Sequence, residues 1–360
     1  MKLRVLGYLT LVAVPLALCL AVGAASPQAP KLRILSDQPL PPALGKAVDI
    51  RWASDSSVYL ALAREGSVEV ALSPLGKKVR EVIRGSQKAG GFWGSSRLGV
   101  SEDFFAVAAP LQSITWIPRG AGSLRKERGG FDFIEDIDVG GKRLLVLGAR
   151  RGENGTLAPE GGIAWLASLD KNLEDLRPVL FDRLGPGAVS LANCGNFELG
   201  AVRFLSNDSF VVFPGVQPGM HLFDGSGKLL RTWDTVAWGF EAECSQVSWE
   251  EARKITLPRQ RFAWLNQRQI LDDILPMKEG LGLIVRQVVQ GRVRWQLKHI
   301  SLVGGRDRAY DLPIPQQNER AHLRGDIREG KLVFLMHAHE EDLMSSADPR
   351  LAVVEAPTDL

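Results

Sequence analysis

The sequence predicts an all-β fold: a six-bladed β-propeller of four-stranded antiparallel blades, its last blade closed by an N-terminal strand. Three observations lead there. Past residue 30 the chain consists of short apolar runs separated by turn residues, with almost no long helical periodicity. One hairpin pattern recurs six times along it. The sixth copy stops one strand short, while a strand-like segment without a local partner lies near the start.

Each unit opens with an inner strand, a polar turn and a more apolar second strand. In the first unit these are 47–52, the turn 54–57 and 58–63, completed by 67–72 and 78–83. The second unit shows 96–100, a turn at 101–103 and 104–109. The third has 135–139, Gly140-Gly141-Lys142 and 144–147, followed less cleanly by 163–169 and 179–181. The fourth has 200–204, a turn at 206–208 and 210–213, then 220–223 and 228–233 around Asp224-Gly225-Ser226-Gly227. The fifth has 271–275 and 281–285, then 293–300 and 308–312. The sixth has 321–327, a turn at 329–331, 332–336 and 350–355. The segment Lys31-Leu32-Arg33-Ile34-Leu35 can supply the strand it lacks and remove an exposed edge. A lone four-stranded sheet cannot bury two apolar faces, and packing the sheets in a ring buries them against each other. Residues 31–357 therefore read as one propeller domain, with a long insertion at 235–269. In blade pattern, count and closure it resembles the six-bladed propellers of the NHL-repeat and TolB-like group. That resemblance spans almost the whole chain past residue 30 and implies a fold, not an activity.

Residues 1–25 read as a signal peptide: Lys2 and Arg4 precede an uncharged, mostly apolar stretch at 5–22, and small residues follow at Gly23, Ala24, Ala25 and Ser26. A permanent anchor is the competing reading, but the stretch is short for spanning a bilayer. Leu16-Ala17-Leu18-Cys19 approaches a lipobox yet lacks the small residue before the cysteine. The expected location is secreted or periplasmic, with no membrane span after cleavage. Lys and Arg total 44 against 41 Asp and Glu, so no basic field argues for nucleic acid. Past the signal, Cys194 and Cys244 form either a disulfide or two buried thiols.

Antiparallel order puts the loop between strands two and three of a blade at the same end as the blade-to-blade crossover. The unusually long segments 150–161, 183–197, 235–269 and 337–349 are all of these two kinds, so all should leave from one rim. Long loops on a rigid ring are where binding sites concentrate. The candidate ligand-binding residues are Arg150, Arg151, Trp238, Arg286, His337 and His339. The arginines suit an anionic group, against the plain reading of solvated side chains. Trp238, with Phe240, Trp249, Phe262 and Trp264, either stacks on a ligand or pins the insertion to the ring. Ser248-Trp249-Glu250-Glu251 fits a capping box. His337-Ala338-His339 would present two imidazoles on one side of an extended segment, with His221, His299 and His322 scattered elsewhere; a solvated loop is the plainer reading.

Asp49, Asp136, Asp273 and Asp326 recur on the inner strands and should gather at the axis, with Arg97 and Ala201 at the other two equivalent positions. Such a ring could hold calcium, as in the similar regucalcin-like lactonases, or could pair with Arg51, Arg203, Arg324 and Arg328. No nucleophile elbow, HExxH, P-loop or dinucleotide fingerprint is present, and no other cofactor is implied. The expectation is a non-enzymatic exported propeller binding a protein, peptide or glycan at the long-loop rim. The alternative is a calcium-type hydrolase or lactonase with an acidic tunnel.

Overall fold

In the computed structural model the described residues are 32–357, except 64–65, 74, 85–96, 109–112, 120–124, 128–129, 151–160, 183–199, 206–207, 216, 241–262, 264–265, 305, 315–320 and 339–348. They form six four-stranded antiparallel sheets, one per blade. Blade 1 is β2 (Ala47–Ser54), β3 (Ser57–Leu62), β4 (Gly66–Leu72) and β5 (Leu75–Arg84). Blade 2 is β6 (Arg97–Val100), β7 (Phe104–Ala108), β8 (Ile114–Pro118) and β9 (Arg125–Glu127). Blade 3 is β10 (Phe131–Gly140), β11 (Arg143–Arg150), β12 (Gly162–Ser168) and β13 (Arg177–Phe181). Blade 4 is β14 (Ala201–Leu205), β15 (Ser209–Phe213), β16 (Met220–Asp224) and β17 (Leu229–Trp233). Blade 5 is β18 (Ile270–Pro276), β19 (Gly280–Val289), β20 (Arg292–Ser301) and β21 (Arg308–Asp311). Blade 6 is β22 (Ala321–Arg328), β23 (Lys331–Ala338), β24 (Arg350–Glu355) and, as its outermost strand, β1 (Ile34–Pro39).

The N-terminal strand closes the ring, but about three residues later than the apolar pattern places it. Its register runs from Ile34 opposite Val354 to Pro39 opposite Arg350. Of Leu32, Ile34 and Leu35, the apolar residues of the predicted segment, Ile34 and Leu35 are exposed. The buried residues are Leu32 and Leu40, one at each end: Leu32 joins the apolar cluster between blades 5 and 6, Leu40 the cluster between blades 6 and 1. An outermost strand has little sheet left to cover its faces, so anchors beyond its ends fix it rather than alternation within it.

Each junction between neighbouring blades has its own apolar cluster. Strand β11 shows why alternation is hard to see in the sequence. Leu144 and Val146 pack toward blade 2 while Leu145 and Leu147 pack toward blade 4, so both faces are buried and the strand reads as a continuous apolar run. Trp116, Trp165 and Phe131 fill the junction of blades 2 and 3. Phe204, Phe210 and Phe223 fill that of blades 3 and 4, with Phe210 and Phe223 stacked at 5.1 Å. Gly99 lets the inner strands of blades 2 and 3 close up: a Cβ there would stand 2.6 Å from Val139 Cγ2.

Candidate functional site

The axis is lined by the six inner strands, and a single device recurs on them. An aspartate carboxylate of one blade accepts a main-chain N–H from the inner strand of the next. Asp49 takes the amide of Leu98 at 2.7 Å, Asp136 that of Val202 at 2.9 Å, and Asp273 that of Gly325 at 3.1 Å. Asp138 takes Phe204 at 2.8 Å, Asp272 takes Leu323 at 3.0 Å, and Asp326 takes Trp52 at 2.8 Å, closing the ring from blade 6 to blade 1. In β2, β10 and β18 the register slips just before the aspartate, between Ala47 and Asp49, Ile134 and Asp136, and Leu271 and Asp273. Such bulges re-aim a side chain. The inner strands of blades 2, 4 and 6 pair with their neighbours in unbroken register.

These bonds fix the levels along the axis. The residues preceding the three accepted amides are Arg97, Ala201 and Arg324, so one level reads Asp49, Arg97, Asp136, Ala201, Asp273, Arg324 around the ring. Acid and base alternate, with one gap at Ala201. Arg203, two residues deeper on the same strand, fills that gap: its guanidinium donates to Asp136 at 2.6 Å and to Asp273. Arg51 donates to Asp49 at 3.1 Å and lies 3.9 Å from Asp273. Arg97 lies 3.7 Å from Asp136. Asp326 is therefore not the equivalent of the other three aspartates. Because β22 carries no bulge, Arg324 occupies that level and Asp326 stands two residues deeper, like Asp138.

The surrounding arginines hold Asp49 below its ordinary pKa although burial opposes this, and the facing aspartates hold Arg51 and Arg203 firmly charged against the same burial. The axial carboxylates do not converge as a ligand set for a cation. Each is turned to a neighbouring amide, several also to a guanidinium, and a calcium ion entering among them would have to displace those donors. Among the described residues no group of three or more His, Cys, Asp or Glu side chains is arranged to hold a metal.

A second cluster lies nearer the long-loop rim, between blades 5 and 6. His337, on β23, is buried, and its register partner across β22 is His322, with the two rings 6.0 Å apart. The solvated-loop reading of His337 is thus corrected: β23 runs to Ala338 and takes the histidine into the sheet. His322 Nδ1 is 3.1 Å from Asp272 Oδ1, while Asp272 Oδ2 accepts from Trp295 Nε1 at 2.7 Å and from the Leu323 amide. Burial works against the Asp272 carboxylate, but the His322 bond and the Arg286 charge leave its pKa below the ordinary value. Arg286 is fully buried rather than solvated, because β19 continues four residues past the apolar run. It donates to Ala321 O at 3.0 Å and Asn266 Oδ1 at 3.0 Å. Arg324 donates to Asp272 O at 2.7 Å. The sequence gives Asp272 no role, leaves His322 among the scattered histidines and offers Arg324 only as a partner for the axial acids, so the cluster itself was missed. The alternation His322-x-Arg324-x-Asp326 was the available signal, since period two puts all three on one face of a strand.

The remaining candidates are spread along the same rim. Arg150 ends β11 and lies over the Trp165 ring at 5.0 Å. Trp238 belongs to a short 3-10 turn, Val236–Trp238, and packs on the cluster between blades 4 and 5. Its carbonyl accepts from Gln269 Nε2 at 2.7 Å and Lys298 Nζ at 3.1 Å, which pins the start of the insertion to the ring. Arg151, His339, Cys194, Cys244, the capping box at 248–251 and the signal segment 1–25 lie outside the described residues. No helix among the described residues is long and apolar enough to cross a membrane.

The chain is similar to the crystal structure of RRP9 WD40 repeats, with TM-score 0.51 and 10% identity over 92% of this chain and 99% of that one. It is also similar to a member of the DUF4221 family from Bacteroides vulgatus, with TM-score 0.52 and 8% identity over 90% of this chain and 97% of that one. At such identities the likeness is one of fold, and both neighbours support the propeller architecture. No protein-family model matches the sequence, and no curated protein matches it significantly.

Proposed function

We propose that this protein is an exported propeller of the NHL-repeat and TolB-like kind that binds a protein, peptide or glycan through its long-loop rim. The observation that carries the reading is the asymmetry of the two rims. At one rim the connections are short and tied to one another. Ser101 donates to Gly141 O, Arg143 to Gly225 O and Asp208, Arg177 to Ser226 O, and Arg328 pairs with Asp55. At the other rim leave the connections that span 151–161, 182–200, 234–269 and 339–349. Propeller rings commonly serve as binding scaffolds, and long loops on a rigid frame supply the variable surface.

The test uses the processed full chain against a glycan array and a displayed peptide library. Replacing 151–160 by a two-residue turn, or Arg150 by Ala, is expected to weaken a selected binder at least tenfold; Arg328→Ala on the opposite rim should leave it within twofold. Binders that depend on Arg328 and ignore the loop would overturn the reading. Export is checked separately: the processed product should begin near residue 26 by mass spectrometry.

A further inference from the structure

The acids of the axial network do not share its arginines evenly. Three of the acids have an arginine within 4 Å: Asp49 has Arg51, Asp136 has Arg97 and Arg203, and Asp273 has Arg203 and Arg51. Asp138 and Asp326 stand two residues deeper, and among the described residues neither forms an ion pair with an arginine. Arg51 and Arg203 make their close contacts with Asp49, Asp136 and Asp273 instead. Asp138 is the more enclosed of the two, being buried where Asp326 is only half-buried.

We propose that the ring axis binds one proton, lodged on Asp138, and that the ring gains stability from it as pH falls from neutral to mildly acidic. A buried carboxyl without a contacting cation is cheaper to keep neutral than charged. Asp138 accepts the Phe204 amide of β14, and the charges that act on it are those of Arg203 on β14 and Arg51 on β2. In keeping with this enclosure, burial pushes the Asp138 carboxyl up to about 6, against the pull of Arg203 and Arg51, and pushes Asp326 up as well.

The sign follows from linkage. A carboxyl whose pKa is raised in the folded state contributes stability that is present in full below its unfolded value of 3.8 and is lost as pH rises through about 6. Two units of difference correspond to a change of about 100-fold in the unfolding equilibrium across that window. Asp49 and Asp272 act with the opposite sign, and below pH 4.

The experiment is infrared difference spectroscopy of the unaltered full chain between pH 5 and pH 8, joined to urea unfolding at both values. A buried protonated-carboxyl band should disappear with a midpoint near 6. Asp138→Asn should remove that band and shrink the pH 5 to pH 8 difference in unfolding equilibrium by about tenfold, the share of the full change that falls between those two values. Absence of any such band between pH 5 and 8 in the unaltered protein overturns the proposal. So does a band that survives Asp138→Asn and vanishes in Asp326→Asn, since the proton would then sit on the other acid. The presence of the band and its midpoint in the unaltered protein do not depend on either variant folding.

Discussion

The six blade junctions are held at the axis in two different ways. Between blades 1 and 2, 3 and 4, 5 and 6, and 6 and 1, an aspartate of the first blade accepts a main-chain amide of the second. Between blades 2 and 3 and blades 4 and 5 the axial contact among the described residues is an arginine ion pair instead: Arg97 with Asp136, and Arg203 with Asp273. Each bulge-borne aspartate opens an odd-numbered blade, so the ring is laid out as three blade pairs joined by guanidiniums and by the closing bond of Asp326. The comparison teaches that an inward polar residue is tolerable at a propeller axis when its partner is backbone, which cannot mutate away, or when one long arginine serves several acids at once.

Arg203 tests the second kind of junction most severely, and its loss should have the largest effect. Arg203→Met would leave Asp136 and Asp273 buried beside a missing cation and should cost about 3–5 kcal/mol in urea unfolding. Adding Asp273→Asn should recover part of the loss, and two equal, additive losses would show that the bridge is not one unit. Asp49→Ala tests the first kind. It strips the acceptor from the Leu98 amide and the partner from Arg51, and about 2–3 kcal/mol should go with it, read as the shift in urea midpoint at constant slope. Gly99→Ala asks how close the blades 2 and 3 must come; the intruding methyl meets Val139, and about 1–3 kcal/mol of destabilisation is expected in thermal melts. The weakest effect should come from Arg328→Ala. Its partner Asp55 is as close, at 3.0 Å, as many axial contacts, but both side chains are exposed, and the change should stay below about 0.5 kcal/mol. A loss as large as that of Arg203→Met would erase the contrast between rim and axis.

The long-loop rim was legible in outline because loop length needs no tertiary information once strand order is known. Arg286 and His337 were found for an imperfect reason: both sit at strand ends near that rim, but each strand runs on and buries them. Their neighbours Asp272 and His322 stand 50 residues apart in sequence and meet only because blade 6 packs on blade 5. The aspartate repeat was visible, and Asp326 was aligned with it because a one-residue bulge leaves no mark in a hydrophobic pattern. Strand β1 was found for its apolar character yet is held by Leu32 and Leu40, which flank it.

By itself the sequence determined the repeat, the number of blades, the closing role of the N-terminal segment and the rim from which the long connections leave, since these follow from apolar periodicity and antiparallel order. Only the tertiary structure decided which charges at the axis are partners. Ion pairing depends on distance across the ring, and that distance is set by bulges, glycine contacts and side-chain reach, none of which has a period along the chain.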